Sequence, residues 1–447
     1  MDIVWFKISD LRIRDHEPLF TANQADNSII HIFIWDCRWD DKTENDILIM
    51  GKYKKNFLKE SLYNLSENLK KINIHLNLYF GKTEDILINI INKHNVKNIY
   101  THQDNVYDMN KLTENTSVKI ESFWNNTMYH INDLPFPIKE LPDSFTDFKK
   151  NMTFNVKKEF FTKSNNKSIK LDNSIKLNDI DIPEATIIIK GGEDAGWEQL
   201  KSFFYKTNNI LKYNHERHNL TNTWDLSPWL DFGCLSAKSI FYQIKMYEKS
   251  KQKNNSTYLY WLDMLLKDYY KFKSIKIGND LFKQNGVTNK IYNYSNNKGS
   301  LQKWIDGQTG IPLIDAFMNQ IKNTGLISNK GRLIVSSFLI NDLNLDWRLG
   351  AEYFNKMLIN SETSYNYGIM QYIAGLGSLT DNHIYFNPIK QAKILDKNCD
   401  YIKHWIPELK DISINDLVDP KDGIVNYHDI LVKINFINKI NIIPKNI

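Results

Sequence analysis

Two histidines three residues apart, His215 and His218, flank Glu216 and Arg217 and share one face if the segment is helical. Paired imidazoles are half of a tetrahedral metal site, but no further ligand lies near them in sequence, so no metal is expected. The three cysteines, Cys37, Cys234 and Cys399, lie far apart and predict neither disulfides nor a zinc ribbon. Ser227-Pro228 reads as a helix start, Ser227 as the cap and Pro228 at the first position, and a helix N-terminus attracts phosphate. Gly375-Leu376-Gly377 reads as a turn. Neither GxGxxG nor a phosphate-binding GxxxxGK run is present, which argues against a dinucleotide site of the usual kind. Aromatic residues are plentiful: 11 Trp, 23 Tyr and 23 Phe. A large aromatic core accounts for them, and so does a site that handles flat rings.

These residues need elements to position them. The 447 residues, 42% hydrophobic, are too many for one ordinary domain. No apolar run reaches the roughly 18 residues that would suggest a membrane span. The start, Met1 to Lys7, reads as a strand rather than a signal peptide, and with the cysteine usage it predicts a cytoplasmic protein. The net charge of +5 is mild; it permits a nucleic-acid partner without requiring one. Apolar runs at Ile3–Phe6, Ile29–Asp36, Ile74–Phe80, Val96–Thr101 and Val118–Phe123 predict strands. Leu58, Leu62, Leu65, Leu69 and Ile72 predict a helix between them, and Thr83 is placed as the cap of another. Such alternation gives an α/β doubly wound parallel sheet with its ligand site at the strand carboxyl ends. Pro, Asn and Lys fill a connector. From Trp197 the periodicity is helical, as in Tyr258, Trp261, Leu262, Leu265, Leu266 and Tyr269 and in Ile311 to Ile321, which Gly325 stops. The predicted division is 1–131 α/β, 132–195 connector, 196–434 all-α and 435–447 tail.

Several ordered motifs carry a resemblance. Thr223-Trp224-Asp225-Leu226-Ser227-Pro228-Trp229-Leu230-Asp231-Phe232-Gly233-Cys234-Leu235-Ser236 resembles the flavin-phosphate loop of the photolyase/cryptochrome family. Trp304 to Ala316, with Gly307, Thr309-Gly310, Pro312 and Asp315-Ala316, resembles that family's W-x-x-G-x-T-G-x-P-x-x-D-A. Asn329-Lys330-Gly331-Arg332 stands where the family has N-R-x-R. Asp346 to Phe354, Lys190-Gly191-Gly192-Glu193, Tyr385 to Ala392 and Tyr401 to Leu409 are similar to runs of its DASH-type branch. The likeness covers nearly the whole chain.

The resemblance implies an FAD flavoprotein whose helical domain is the FAD-binding domain and whose α/β domain is the antenna domain. It implies blue-light repair of cyclobutane pyrimidine dimers in single-stranded DNA by electron transfer from reduced FAD, the more economical case because an unpaired base is cheapest to extrude. The alternative is a light-sensing cryptochrome without repair, with weak nucleic-acid or protein binding. A folate antenna, methenyltetrahydrofolate, is a further expectation around His102-Gln103-Asp104 and Lys111–Thr116, and the protein is expected to be a monomer. By motif match Tyr213, Thr223, Asp225, Leu226, Ser227, Lys267, Arg332, Asn360, Glu362 and Asn366 would contact FAD, with Asn366 beside flavin N5. Asp263, Leu266, Asn329, Lys330 and Tyr372 would meet DNA; Asp263 would act in catalysis, and Met370, Trp347 and Tyr294 hold the positions of the family's tryptophan electron relay. The departures concentrate here. Asp263 replaces Glu, Leu266 replaces a stacking Trp, Lys267 replaces Arg, Asp225 replaces a base, and Asn360 and Glu362 replace two aspartates.

Overall fold

The computed structural model describes residues 1–103, 116–153, 156, 159–162, 167–185, 188–216, 220, 226–288, 290–378, 383–420, 424 and 427–431. Its described residues form two compact units. The first takes Met1–Pro137, Lys149–Leu211 and Leu226–Asp268; the second takes Ile138–Phe148, Lys212–Asp225 and Tyr269–Ile447.

In the first unit five parallel strands pair in the order β3-β2-β1-β4-β5: β1 Asp2–Phe6, β2 Ile29–Asp36, β3 Leu76–Gly81, β4 Asn98–His102 and β5 Lys119–Phe123. Each β1 and β2 residue is buried, which is why both read as near-continuous apolar runs rather than alternating ones. Ile3, Trp5, Ile30, Ile32, Ile34, Leu87 and Ile99 meet in one core cluster. The expected leucine stripe is buried along the helix Lys52–Lys71. The helix after β3 runs Thr83–His94, with Lys82 in the cap position, so Thr83 is not its cap. Instead the Thr83 hydroxyl donates to Asp36 Oδ2 at 2.7 Å and ties the helix start to the end of β2. Part of the expected connector lies on the sheet: Ile169 N–H donates to Ile29 O, Leu171 N–H to Asn77 Oδ1, and Ile175 N–H to Leu78 O. Among the described residues no helix is long and apolar enough to cross a membrane.

The second unit is helical; past Trp197 the described residues show only an isolated bridge, Ser295 with Leu345. Local chemistry sets the helix ends. Pro312 opens the helix Pro312–Thr324, and Gly325, at φ 67°, closes it in the left-handed conformation that glycine adopts without a Cβ penalty. Ser328 caps Asn329–Ser337 by accepting from Gly331 N–H, and Asp346 caps Trp347–Met357 by accepting from Arg348 N–H. The buried Asp315 carboxylate accepts from Thr309 N–H, the Thr309 hydroxyl, Gly310 N–H and the Tyr427 hydroxyl, which explains the T-G-x-P-x-x-D spacing as a turn fixed by one acceptor.

Candidate functional site

Three helices of the second unit, Asn329–Ser337, Trp347–Met357 and Thr363–Ile373, carry most of the candidate residues. Asn366 is 1% exposed. Its Nδ2 donates to Ala351 O and to Asn355 Oδ1, both at 2.8 Å on the neighbouring helix. Both amide protons are therefore spent, and Oδ1 is a buried acceptor with no hydrogen-bond partner. Asn366 lies inside the helix Thr363–Ile373. An unmet acceptor at this depth costs about 1–3 kcal/mol unless a donor reaches it.

Arg332 is buried, and its Nη2 donates to Asn360 O at 2.7 Å and to Asn360 Oδ1 at 3.3 Å. An aspartate at 360 would have made a charged pair; asparagine leaves a neutral acceptor. Glu362 caps the helix Thr363–Ile373 through Tyr365 N–H at 2.8 Å, and its Oε1 lies 3.8 Å from Lys271 Nζ. Asn329 is exposed, with the Tyr365 hydroxyl 3.5 Å from its Oδ1. Lys330 Nζ lies 4.6 Å over the Phe386 ring, and burial lowers its pKa. Tyr372 and Tyr213 are half-buried.

Of the three relay positions, Met370 and Trp347 are fully buried. Trp347 Nε1 donates to Gln284 O, and its ring meets Tyr367 edge-on with centroids 5.9 Å apart. Tyr367 in turn meets Phe282 at 4.9 Å, and Phe282 is 45% exposed. Tyr294 packs against Tyr292, and its hydroxyl is buried without a hydrogen-bond partner. Burial raises its pKa.

In the first unit, Asp263, Leu266 and Lys267 stand at i, i+3 and i+4 on the helix Asn255–Ile277 and share a partly exposed face. Lys267 Nζ is paired with Asp231. Leu226 is buried and occupies the cap position of Ser227–Asp231, so Ser227 is the first helical residue and does not cap this helix as expected. Thr223 and Asp225 lie outside the described residues, as do Arg217 and His218 of the histidine pair, residues 104–115 and the 435–447 tail.

One buried cluster escaped the sequence reading. Asp10, His16 and His102 offer ligand atoms within 4.8 Å of one another. Their ring nitrogens are already oriented by hydrogen bonds at His16 Nδ1 and His102 Nδ1. His16 Nδ1 accepts from Leu19 N–H, so its Nε2 carries the proton, 3.6 Å from Asp10 Oδ2. His102 Nδ1 lies 2.8 Å from the same oxygen. Burial alone would raise the Asp10 carboxyl, but the hydrogen bond from His102 and the nearby His16 ring bring it well below the usual carboxylate range. The cluster thus holds the segment after β1 by hydrogen bonds and does not present three lone pairs to a metal.

Comparison with known proteins agrees with the motifs. The family model "FAD binding domain of DNA photolyase" matches residues 256–435, and "DNA photolyase" matches residues 2–164. The chain is 34% identical to Cryptochrome DASH of Synechocystis, over 92% of this chain and 88% of that protein. It is 33% identical to Cryptochrome DASH of Danio rerio, over 92% and 84%. The solved structure of a Synechocystis cryptochrome superposes with a TM-score of 0.91 at 31% identity, covering 97% of this chain and 96% of that one. A Sulfolobus tokodaii photolyase, described as containing two FAD molecules, shares the fold with a TM-score of 0.78 at 24% identity, over 97% of each chain. The chain therefore belongs to the photolyase/cryptochrome family, in its DASH cryptochrome branch, and is an FAD-binding flavoprotein.

Proposed function

We propose that this flavoprotein is a light-driven lyase that opens cyclobutane pyrimidine dimers in single-stranded DNA. The observation that carries the reading is Asn366: its buried oxygen is an unmet acceptor held in place by two donations to the adjacent helix. That fits a ligand ring bearing an N–H, as reduced flavin does at N5. Bound reduced FAD supplies the light-driven electron that splits the dimer. The chain's own part is to orient. Arg332 holds the Asn360 turn, and Glu362 starts the helix that carries Asn366. We assign Tyr213, Thr223, Asp225, Leu226, Ser227 and Lys267 to FAD contacts by motif match. Asp263, Asn329, Lys330 and Tyr372 are assigned to DNA, Asp263 as its acidic contact with the lesion. The domain division given above, a folate antenna, a monomeric state and a cytoplasmic location belong to the same proposal.

The deciding experiment is a visible spectrum of the purified protein before and after blue light with a thiol reductant, followed by a repair assay on dimer-containing single strands. Bleaching flavin bands with dimer loss support the lyase. Flavin bands without dimer loss support the second reading, a light-sensing cryptochrome. That reading is favoured by Leu266, which gives the helix face no ring for a base, and by Lys267, whose charge is engaged by Asp231.

Leu266→Trp tests the stacking. One recovered stack contributes about 1.4 kcal/mol, so titration with a dimer-containing single strand is expected to show about tenfold tighter binding. An unchanged affinity removes this helix face from the DNA interface.

Trp347→Phe tests the relay. Trp347 is the one tryptophan at the three matched positions, Met370 is hard to oxidise, and the Tyr294 hydroxyl has no acceptor for the proton that an oxidised phenol must release. Blue-light flavin reduction with a thiol present is expected to slow by about tenfold or more, equivalent to about 1.4 kcal/mol on the barrier. An equal rate would place the electron route elsewhere.

A further inference from the structure

Trp347 is fully buried, and its indole N–H donates to Gln284 O at 2.9 Å. A backbone carbonyl accepts a hydrogen bond but is too weak a base to take that proton. An indole that loses an electron here therefore stays a cation and remains a strong oxidant. Only a neighbour that gives up an electron can refill it, and Met370 is a poor one. Two tyrosines of the helical unit, Tyr294 and Tyr367, are the candidates, and their surroundings separate them.

Tyr294, at the matched relay position, packs on Tyr292 with centroids 5.9 Å apart. Among the described residues the ring that meets the Trp347 indole is Tyr367 and not Tyr294. The Tyr294 hydroxyl is buried without a hydrogen-bond partner, so nothing receives the proton that an oxidised phenol sheds. Tyr367 meets the indole edge-on, with centroids 5.9 Å apart and planes at 85°, a direct aromatic contact. It is 9% exposed, and its hydroxyl is not sealed as that of Tyr294 is. On its other side it meets Phe282 at 4.9 Å, and Phe282 is part of the surface. The phenol titrates above its ordinary value, through burial first and the Glu352 carboxylate second, with the Arg348 guanidinium opposing. It therefore holds its proton at rest, and the same carboxylate favours the loss of an electron from the ring.

We propose that Tyr367, and not Tyr294, is the electron donor to oxidised Trp347. The inference rests on the Trp347 relay read above and departs from the matched positions at its outer end. Trp347 gives one electron to the light-excited oxidised flavin. Tyr367 returns one electron to the indole and loses its phenolic proton to water, which leaves a neutral tyrosyl radical beside the Phe282 surface. A thiol then restores the phenol with one electron and one proton and becomes a thiyl radical, and two thiyl radicals join as a disulfide.

The test is electron paramagnetic resonance of the flavin-loaded full chain, frozen under blue light without thiol. A tyrosyl radical is expected, its spectrum narrowed when the tyrosines carry ring deuterium. Tyr367→Phe should lose that signal and slow thiol-dependent flavin reduction by about tenfold. Tyr294→Phe should keep the signal. Tyr367→Trp should exchange it for an indole radical, and serves if the Phe variant fails to fold. An indole radical alone in the unaltered protein, a tyrosyl signal that survives Tyr367→Phe, or one lost with Tyr294→Phe would each overturn the proposal. An unchanged rate in Trp347→Phe brings down the relay reading and this inference with it. A slowed Trp347→Phe beside an unslowed Tyr367→Phe brings down this inference alone.

Discussion

Replacing Gly233 by alanine is expected to destabilise the sheet-bearing unit by about 4 kcal/mol, a loss reserved for backbone conflict and other severe defects. Gly233 has φ 59°, and a Cβ there would lie 1.9 Å from Ser9 O and 2.3 Å from the Ser9 carbonyl carbon. Those atoms are backbone and cannot rotate away. The approach is held by Leu11 N–H donating to Phe232 O at 3.2 Å and by Arg12 Nη1 donating to Gly233 O at 3.0 Å. A methyl group must push the two segments apart. The variant then loses these bonds at about 1 kcal/mol each and adds about 1–2 kcal/mol for the left-handed alanine. Equilibrium denaturation of the flavin-free protein measures the sum. Gly278→Ala is the control: its φ of 55° is similar, but nothing lies within 4 Å of the added Cβ. It should show the conformational cost alone. Equal losses in the two variants would mean that the Ser9 segment does not constrain position 233.

How much of this was legible in the sequence depends on how local each cause is. β1 and β2 were readable because strands buried on both faces must be apolar throughout. The end of the helix at Gly325 was readable because one residue's conformational freedom decides it. Thr83 was misplaced because its hydroxyl had a better acceptor in Asp36, 47 residues earlier. The same holds at the candidate site. Motif spacing placed Asn366, but its orientation comes from Ala351 and Asn355 on another helix. Lys267 read as a residue free to meet a ligand until Asp231, 36 positions away, engaged it. The ring neighbours of Trp347 follow from helix packing and not from the relay positions that the motifs supply. The Asp10–His102 contact joins the segment after β1 to the end of β4, neighbours only because β4 pairs with β1.

Asn366→Leu is the second large effect expected, and it separates a structural amide from one that meets the flavin. Leucine shares asparagine's branched outline of four side-chain heavy atoms, with bulkier methyl groups and no polar atom. In the flavin-free protein it leaves Ala351 O and Asn355 Oδ1 without their donor, so stability should fall by about 1–3 kcal/mol. In the flavin-loaded protein it also removes the buried Oδ1 acceptor. Reduced FAD should then bind about ten- to thirtyfold more weakly, for a loss of about 1.4–2 kcal/mol. The N5–H pKa of the flavin semiquinone, read from a pH series of visible spectra, should fall by about one unit, since a lost acceptor disfavours the protonated nitrogen by about 1.4 kcal/mol. The sign matters: an amide that faced the ring through its NH₂ would give the opposite shift, but here both protons are committed to the neighbouring helix. Asn355→Ala supplies the contrast, because it removes one anchor of the amide and leaves Oδ1 in place. It should reproduce part of the stability loss with little change in the N5–H pKa. If Asn366→Leu lowers stability but leaves both flavin readouts unchanged, Asn366 only fastens two helices together, and the lyase proposal loses the observation on which it rests.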